Sequence, residues 1–162
     1  MVQAAVAAFL DKEAAAAVVL AYADALDARD WEAFRSLFTE DIMVDYEAIG
    51  SLASTISADE WTERCRTLEG FDATAHRIQN VVVTVDGDVA KVVSVVDAAH
   101  FVTVGHDVLM GDLIGRYTHY LHRQGGWKIA AVVLTVAGYP AGKPAFDAVF
   151  IAARQIHAER DT

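Results

Sequence analysis

The stretch Tyr22 to Tyr46, YADALDARDWEAFRSLFTEDIMVDY, decides how the whole chain is read. It closes one helix. Ala15, Val18, Val19, Tyr22 and Leu26 recur at three- and four-residue spacing, a buried stripe on a helix expected from about Asp11 to Ala28. Asp11 is placed to cap that helix, with Glu13 in its first turn. Asp30 then caps a short second helix, Trp31 to Phe38, with Trp31, Phe34, Leu37 and Phe38 as its apolar face. Alternation from Ile42 to Tyr46 predicts a strand. On a helical wheel Leu20, Ala16, Ala23 and Asp27 form one row at the edge of the stripe. Asp24 lies about 60° further round, beside Glu13, and faces solvent. Asp27 is therefore a carboxylate where a core-facing residue is expected, and a half-buried charge needs a partner.

Beyond Tyr46, Gly50 to Thr55 reads as loop. Ser57-Ala58-Asp59-Glu60 is a capping box that opens a helix to about Leu68. From Thr74 onward the period falls to two. Strands are expected at Val81 to Val85, Val89 to about Val104, about Leu109 to His122, and Trp127 to Val136. The turns between them are Asp86-Gly87-Asp88, Gly105-His106-Asp107 and Gln124-Gly125-Gly126. A last helix, Ala145 to about Ala158, carries Phe146, Val149, Phe150, Ala153 and Ile156 on one side. Helices grouped first and strands grouped after predict one α+β domain over residues 1–162. Its sheet is curved, antiparallel or mixed, with helices on one face closing a cone around a pocket.

The bulk properties fit an enclosed site. The chain is 54% hydrophobic, more than a small monomer needs for its core, which points to a lined cavity, a subunit interface, or both. Net charge is −10 with no Lys/Arg cluster, so nucleic acid and anionic membrane are not expected partners. No apolar run reaches the ~20 residues of a membrane span. The single cysteine, Cys65, excludes a disulfide framework and fits a reducing cytoplasm. The opening MVQAAVAAFL has no positive start and reads as a packing terminus, not a signal peptide. No HExxH, HxH, CxxC, GxGxxG, Walker or GxSxG spacing occurs, so neither a bound metal nor a nucleotide cofactor is expected.

The residues that could carry chemistry are few. Asp27 either pairs locally, with Arg29 or Arg35, or serves a site. His76, in Ala75-His76-Arg77-Ile78, is structural alone but becomes a general base if a carboxylate fixes its tautomer. His100 shares the parity of Val96, Ala98 and Val102, and is either a satisfied core histidine or a pocket residue. His119 and His122 are three apart, hence on opposite faces of a strand, and cannot chelate one ion. Tyr22 and Tyr46 are either core aromatics or hydroxyl donors to a substrate carbonyl.

The opening stretch resembles the start of the scytalone dehydratase and SnoaL-like families of the nuclear transport factor 2 (NTF2)-like superfamily, also called cystatin-like. The likeness continues more loosely through TAHRIQNVVV, DAAHFV and GGWKIAAV. The aspartate of LDARDW and the histidine of TAH, about fifty residues later, resemble the Asp–His dyad of that group's dehydratases and related lyases. The resemblance assigns the dyad to Asp27 and His76, a carbonyl-directed tyrosine to Tyr46, a second active-site histidine to His100, and a pocket aromatic to Tyr22. Leu26 stands where scytalone dehydratase has a second tyrosine, and that enzyme's pocket asparagine falls near Arg116 or Tyr117. The implied activity is a cofactor-free β-elimination of water from a small apolar or polycyclic hydroxy-ketone. An isomerase of the ketosteroid type, a polyketide cyclase and a non-catalytic binding module are the alternatives. A homo-oligomer, a trimer in preference to a dimer, is also implied.

Overall fold

A computed structural model describes residues 1–160; Asp161 and Thr162, the end of the expected domain, lie outside the described residues. Helix α1 spans Val2–Ala28 and begins well before its apolar stripe. The alanine-rich opening has the strongest helix propensity available and continues the helix outward with Val6, Phe9 and Leu10 exposed. Asp11 is therefore not a cap. It sits within α1 and accepts hydrogen bonds from Arg123 (3.1 and 2.9 Å) and Trp127 Nε1 (3.0 Å). Ala15, Val19, Tyr22 and Leu26 are buried as expected, whereas Leu20 is exposed.

Asp30 accepts from the Ala33 amide and starts α2, Trp31–Ser36. Strand β1 follows at once, Phe38–Asp45, so Phe38 belongs to the sheet and not to the helix. A single 3-10 turn at Glu47–Ile49 leads to β2, Ala53–Ser57, a strand where loop was expected. Ser57 accepts from the Glu60 amide and opens α3, Ala58–Cys65, which tightens into a 3-10 turn over Arg66–Gly70. The remaining strands are β3 (Ala73–Asp86), β4 (Val89–Val104), β5 (Asp107–Arg123) and β6 (Trp127–Gly138), followed by α4 (Lys143–Arg160).

The six strands form one mixed sheet in the order β2-β1-β6-β5-β4-β3, antiparallel except for β1 against β6. Its register shifts at several places, and two of these irregularities reset which side chains face inward. In β3 the register slips between Gln79 and Val82, at Asn80 with φ 50°. Before the slip His76 and Ile78 stand opposite inward Ala98 and Val96; after it Val83 stands opposite inward Val92. In β6 the slip lies between Ile129 and Ala131, and inward parity passes from Trp127 and Ile129 to Val132 and Leu134. The inner face and the helices enclose the core. The outer face keeps Val82, Val108, Met110, Ile114 and Tyr120 exposed.

Helix α4 reaches the 3-10 turn at a point where no side chain fits. A Cβ on Gly70 would overlap the Ala153 carbonyl of α4. Gly70→Ala is expected to destabilise the domain by about 3 kcal/mol, because backbone cannot give way as a flexible side chain does. Urea unfolding checks this: the midpoint should fall at unchanged m-value.

Candidate active site

Helix α1 delivers its last turn to the site by a specific termination. Arg29 adopts the left-handed conformation (φ 58°, ψ 29°), its amide bonds the Leu26 carbonyl (3.2 Å), and the Asp30 amide bonds the Ala25 carbonyl (3.0 Å). Glycine usually occupies this position. Arginine is held there by its own guanidinium, whose Nη1 donates to the carbonyls of Leu26 (2.7 Å) and Asp27 (3.2 Å) and to Thr74 Oγ1 (2.8 Å).

Asp27 leaves the end of α1 and meets β3. Its Oδ1 accepts from Thr74 Oγ1 (2.8 Å) and His76 Nδ1 (2.7 Å), and its Oδ2 accepts from the His76 backbone amide (2.8 Å). Partial burial pushes this carboxyl up. The hydrogen bonds from the His76 ring, its positive charge when protonated, and the bonds from the His76 amide and Thr74 outweigh burial, and the net shift is down. The carboxylate is thus ionised and can only accept, so His76 Nδ1 is the donor, and in the neutral ring the lone pair sits on Nε2. The His76 side chain is 7% exposed and lines the cavity; Asp27 stands behind it, at a separate polar cleft with Arg29, Glu69, Asp72 and Arg160.

The cavity occupies about 570 Å³ between the inner sheet face, α1, α3 and α4. Tyr22, Leu26, Tyr46, His76, His100 and Tyr117 all line it. Tyr22 and Tyr46 share one hydrogen bond between their hydroxyls, 2.7 Å long. Burial raises all three tyrosine pKa values, that of Tyr117 to about 12, so the hydroxyls stay protonated. The Tyr46 hydroxyl also interacts with that of Tyr117, so three hydroxyl hydrogens serve two mutual bonds and one is left to donate into the cavity.

His100 is 3% exposed, with its ring against Phe150 (4.7 Å), Phe71 (5.2 Å) and His76 (5.3 Å, near perpendicular). Burial lowers its pKa to about 3, helped by the nearby His76 charge. It is neutral, and Nδ1 donates to the Gly111 carbonyl (3.3 Å), leaving Nε2 as an acceptor.

Arg116 is the expectation that the structure overturns. It alternates with inward Gly115 and Tyr117 on β5, so it lies on the exposed outer face, away from the cavity. Tyr117, the other position at that alignment, does line it. The sequence reading did not single out Thr74 and Arg29 as site residues, nor Trp61, Leu68, Leu113, Phe146 and Phe150 of the cavity wall. Parity with His76 on β3 was the signal for Thr74. Because Thr74 both accepts from Arg29 and donates to Asp27, it sets the angle of the carboxylate. With the Asp27–His76 pair acting as a base, Thr74→Val would lower turnover about tenfold through one lost charge-assisted hydrogen bond, and Thr74→Ser would restore it. The check is kcat against KM for both variants, with loss confined to kcat.

Among the described residues no three His, Cys, Asp or Glu side chains are grouped to hold a metal ion, and no helix is long and apolar enough to cross a membrane.

Comparison with known proteins places this geometry. The profile of the SnoaL-like domain matches residues 7–133. No curated protein matches the chain. Among solved structures, the Kfla4162 protein of Kribbella flavida superposes with TM-score 0.78 at 23% identity, over 91% of this chain and 99% of that one. A Novosphingobium aromaticivorans protein provisionally named a scytalone dehydratase is similar at 26% identity, TM-score 0.71, over 81% of this chain and 87% of its own. Another from the same organism, provisionally named an aromatic ring hydroxylase, is similar at 27% identity, TM-score 0.70, over 80% and 90%. The α+β curved sheet with its covering helices is the NTF2-like fold expected from the opening stretch. With the matched profile spanning most of its length, the chain belongs to the SnoaL-like domain family of the NTF2-like superfamily.

Proposed function

We propose that the protein is a cofactor-free lyase that eliminates water from a small apolar or polycyclic β-hydroxy ketone. The observation that carries this reading is the Asp27–His76 pair: a carboxylate fixed by three hydrogen bonds, orienting an imidazole whose free nitrogen opens on an apolar cavity. Such an imidazole is a general base for a proton next to a carbonyl. The hydroxyl cluster of Tyr22, Tyr46 and Tyr117 supplies the donor to the developing enolate oxygen. His76, protonated by the first step and stabilised by Asp27, returns its proton to the leaving hydroxyl, which departs as water as the double bond forms. His100 takes a narrower part than the resemblance implied. Neutral, with Nδ1 committed to Gly111, it orients the substrate as an acceptor and has no proton to give.

The relative provisionally named a scytalone dehydratase supports a dehydration, and the one provisionally named a hydroxylase shows that close relatives do not carry one name. The test is a set of bicyclic β-hydroxy ketones in deuterated water, followed by absorbance of the conjugated enone and by mass. Enone formation is the expected result. Deuterium uptake beside the carbonyl with the hydroxyl retained would replace elimination by isomerisation, and neither signal with any member would remove catalysis.

A further inference from the structure

The mouth of the cavity carries charge that the proposed chemistry does not use. Helix α4 lays Asp147, Phe150, Ile151 and Arg154 along one wall, at i, i+3, i+4 and i+7. Phe150 packs inward on His100, while Ile151 (56% exposed) and Arg154 stand at the solvent edge. Across from them Arg64 of α3 lines the same opening.

These charges do not cancel. Arg64 gives Nε (3.1 Å) and Nη2 (2.9 Å) to Glu60, and both oxygens of Asp147 accept from Lys143 Nζ (2.7 Å each). Arg154 has no hydrogen-bond or ion-pair partner among the described residues. In a chain of net charge −10, carboxylates are not scarce, yet among the described residues the Arg154 guanidinium at the cavity mouth is left unpaired. Deeper in, around the tyrosine hydroxyls and the two imidazoles, the walls are apolar: Leu26, Ala98, Leu113, Leu134 and Phe146. A ligand matching both regions has an apolar body and an anion at its outer end.

Resting on the cavity being the substrate site, we infer that the substrate is an amphipathic anion, its apolar body in the cavity and its carboxylate or similar singly charged group held at the mouth by Arg154, with Arg64 assisting. Arg154 is the principal contact because its donors are free. Arg64 contributes less, since Glu60 already occupies two of its donors.

Two fluorescent probes with the same aromatic body isolate the anion. 8-Anilinonaphthalene-1-sulfonate carries a sulfonate, and N-phenyl-1-naphthylamine does not. The wild-type protein should bind the sulfonate at least ~5-fold more tightly at low salt, with the preference falling as salt rises. Arg154→Ala should reduce the preference to within about twofold while hardly altering the neutral probe; Arg154→Lys should keep part of it, and Arg154→Glu should reverse it. Arg116→Ala, on the outer face, should leave it unchanged. The inference is overturned if the wild type binds both probes equally, if Arg154→Ala keeps the preference, or if Arg116→Ala abolishes it. In those cases binding of the neutral probe leaves the lyase reading standing. Failure to bind either probe overturns that reading together with this one.

Discussion

Replacing His76 by alanine is expected to lower kcat/KM about 10³-fold on any β-hydroxy ketone that the wild type dehydrates, with little change in KM. General acid–base catalysis contributes about 10²–10⁴ in rate, and His76 serves as both base and acid in the proposed cycle. The side chain lines the cavity without filling it, so substrate binding should survive its removal. Asp27→Asn should be nearly as damaging, for a reason visible in the hydrogen bonds. Oδ2 faces the backbone N–H of His76, and Oδ1 faces His76 Nδ1. An amide cannot accept at both places. If its oxygen keeps the backbone bond, its NH₂ group turns to Nδ1, forces the proton onto Nε2 and points a donor at the substrate carbon. If it is reversed, two donors face each other at the backbone. The first outcome removes the base; the second keeps the tautomer but loses the backbone bond and the negative charge that stabilises the imidazolium, and the double variant should be no worse than His76→Ala alone. Wild-type turnover in His76→Ala would end the proposed mechanism.

The second large effect concerns acid stability. His119 is fully buried beneath the cavity, ring to ring with Tyr22 (5.1 Å) and Tyr117 (5.3 Å), and neither ring nitrogen has a protein hydrogen-bond partner. Burial lowers its pKa to about 3, as it does for His100. Both groups are neutral in the folded protein down to about pH 3, whereas in the unfolded chain they take up protons near pH 6.5. The protonation-linked part of their cost is thus absent above pH 6.5. As pH falls from there toward 3, unfolding becomes progressively favoured. By pH 5 each should have removed about 2 kcal/mol of stability. His119→Leu should remove half of that dependence. It should also stabilise the protein at neutral pH by about 1–3 kcal/mol, because it deletes two unsatisfied buried nitrogens and fills nearly the same space. Denaturant midpoints from pH 8 to pH 5 check both expectations. A wild-type midpoint that does not fall, or a leucine variant with the same slope, would contradict them.

Much of this was legible where physics is local. The α1 stripe, the caps at Asp30 and Ser57, and the turns at Asp86-Gly87-Asp88 and Gly105-His106-Asp107 depend on near neighbours, and they stand as read. The wheel that separated Asp27 from Asp24 placed the carboxylate correctly, and the TAH motif gave it His76. What escaped depended on non-local pairing. Strand β2 is an exposed edge with three exposed residues in succession, so no alternation marks it. Strand β3 starts at Ala73, well before the expected Val81; the slip at Asn80 puts its two halves in opposite phase, so they do not read as one strand. Arg116 is different: its parity with Tyr117 was available in the sequence, and the alignment with a relative obscured it.

That slip at Asn80 has a bearing on how the family can vary. One inserted residue lets a single strand run two phases, presenting His76 to the cavity at one end and Val83 to the core at the other. The distance along the chain from core to base is therefore a matter of counting, not only of composition. A one-residue deletion between Gln79 and Val82 that preserved every side chain would still turn either the imidazole or the valines to the wrong side. Length in this segment is thus as tightly constrained as identity.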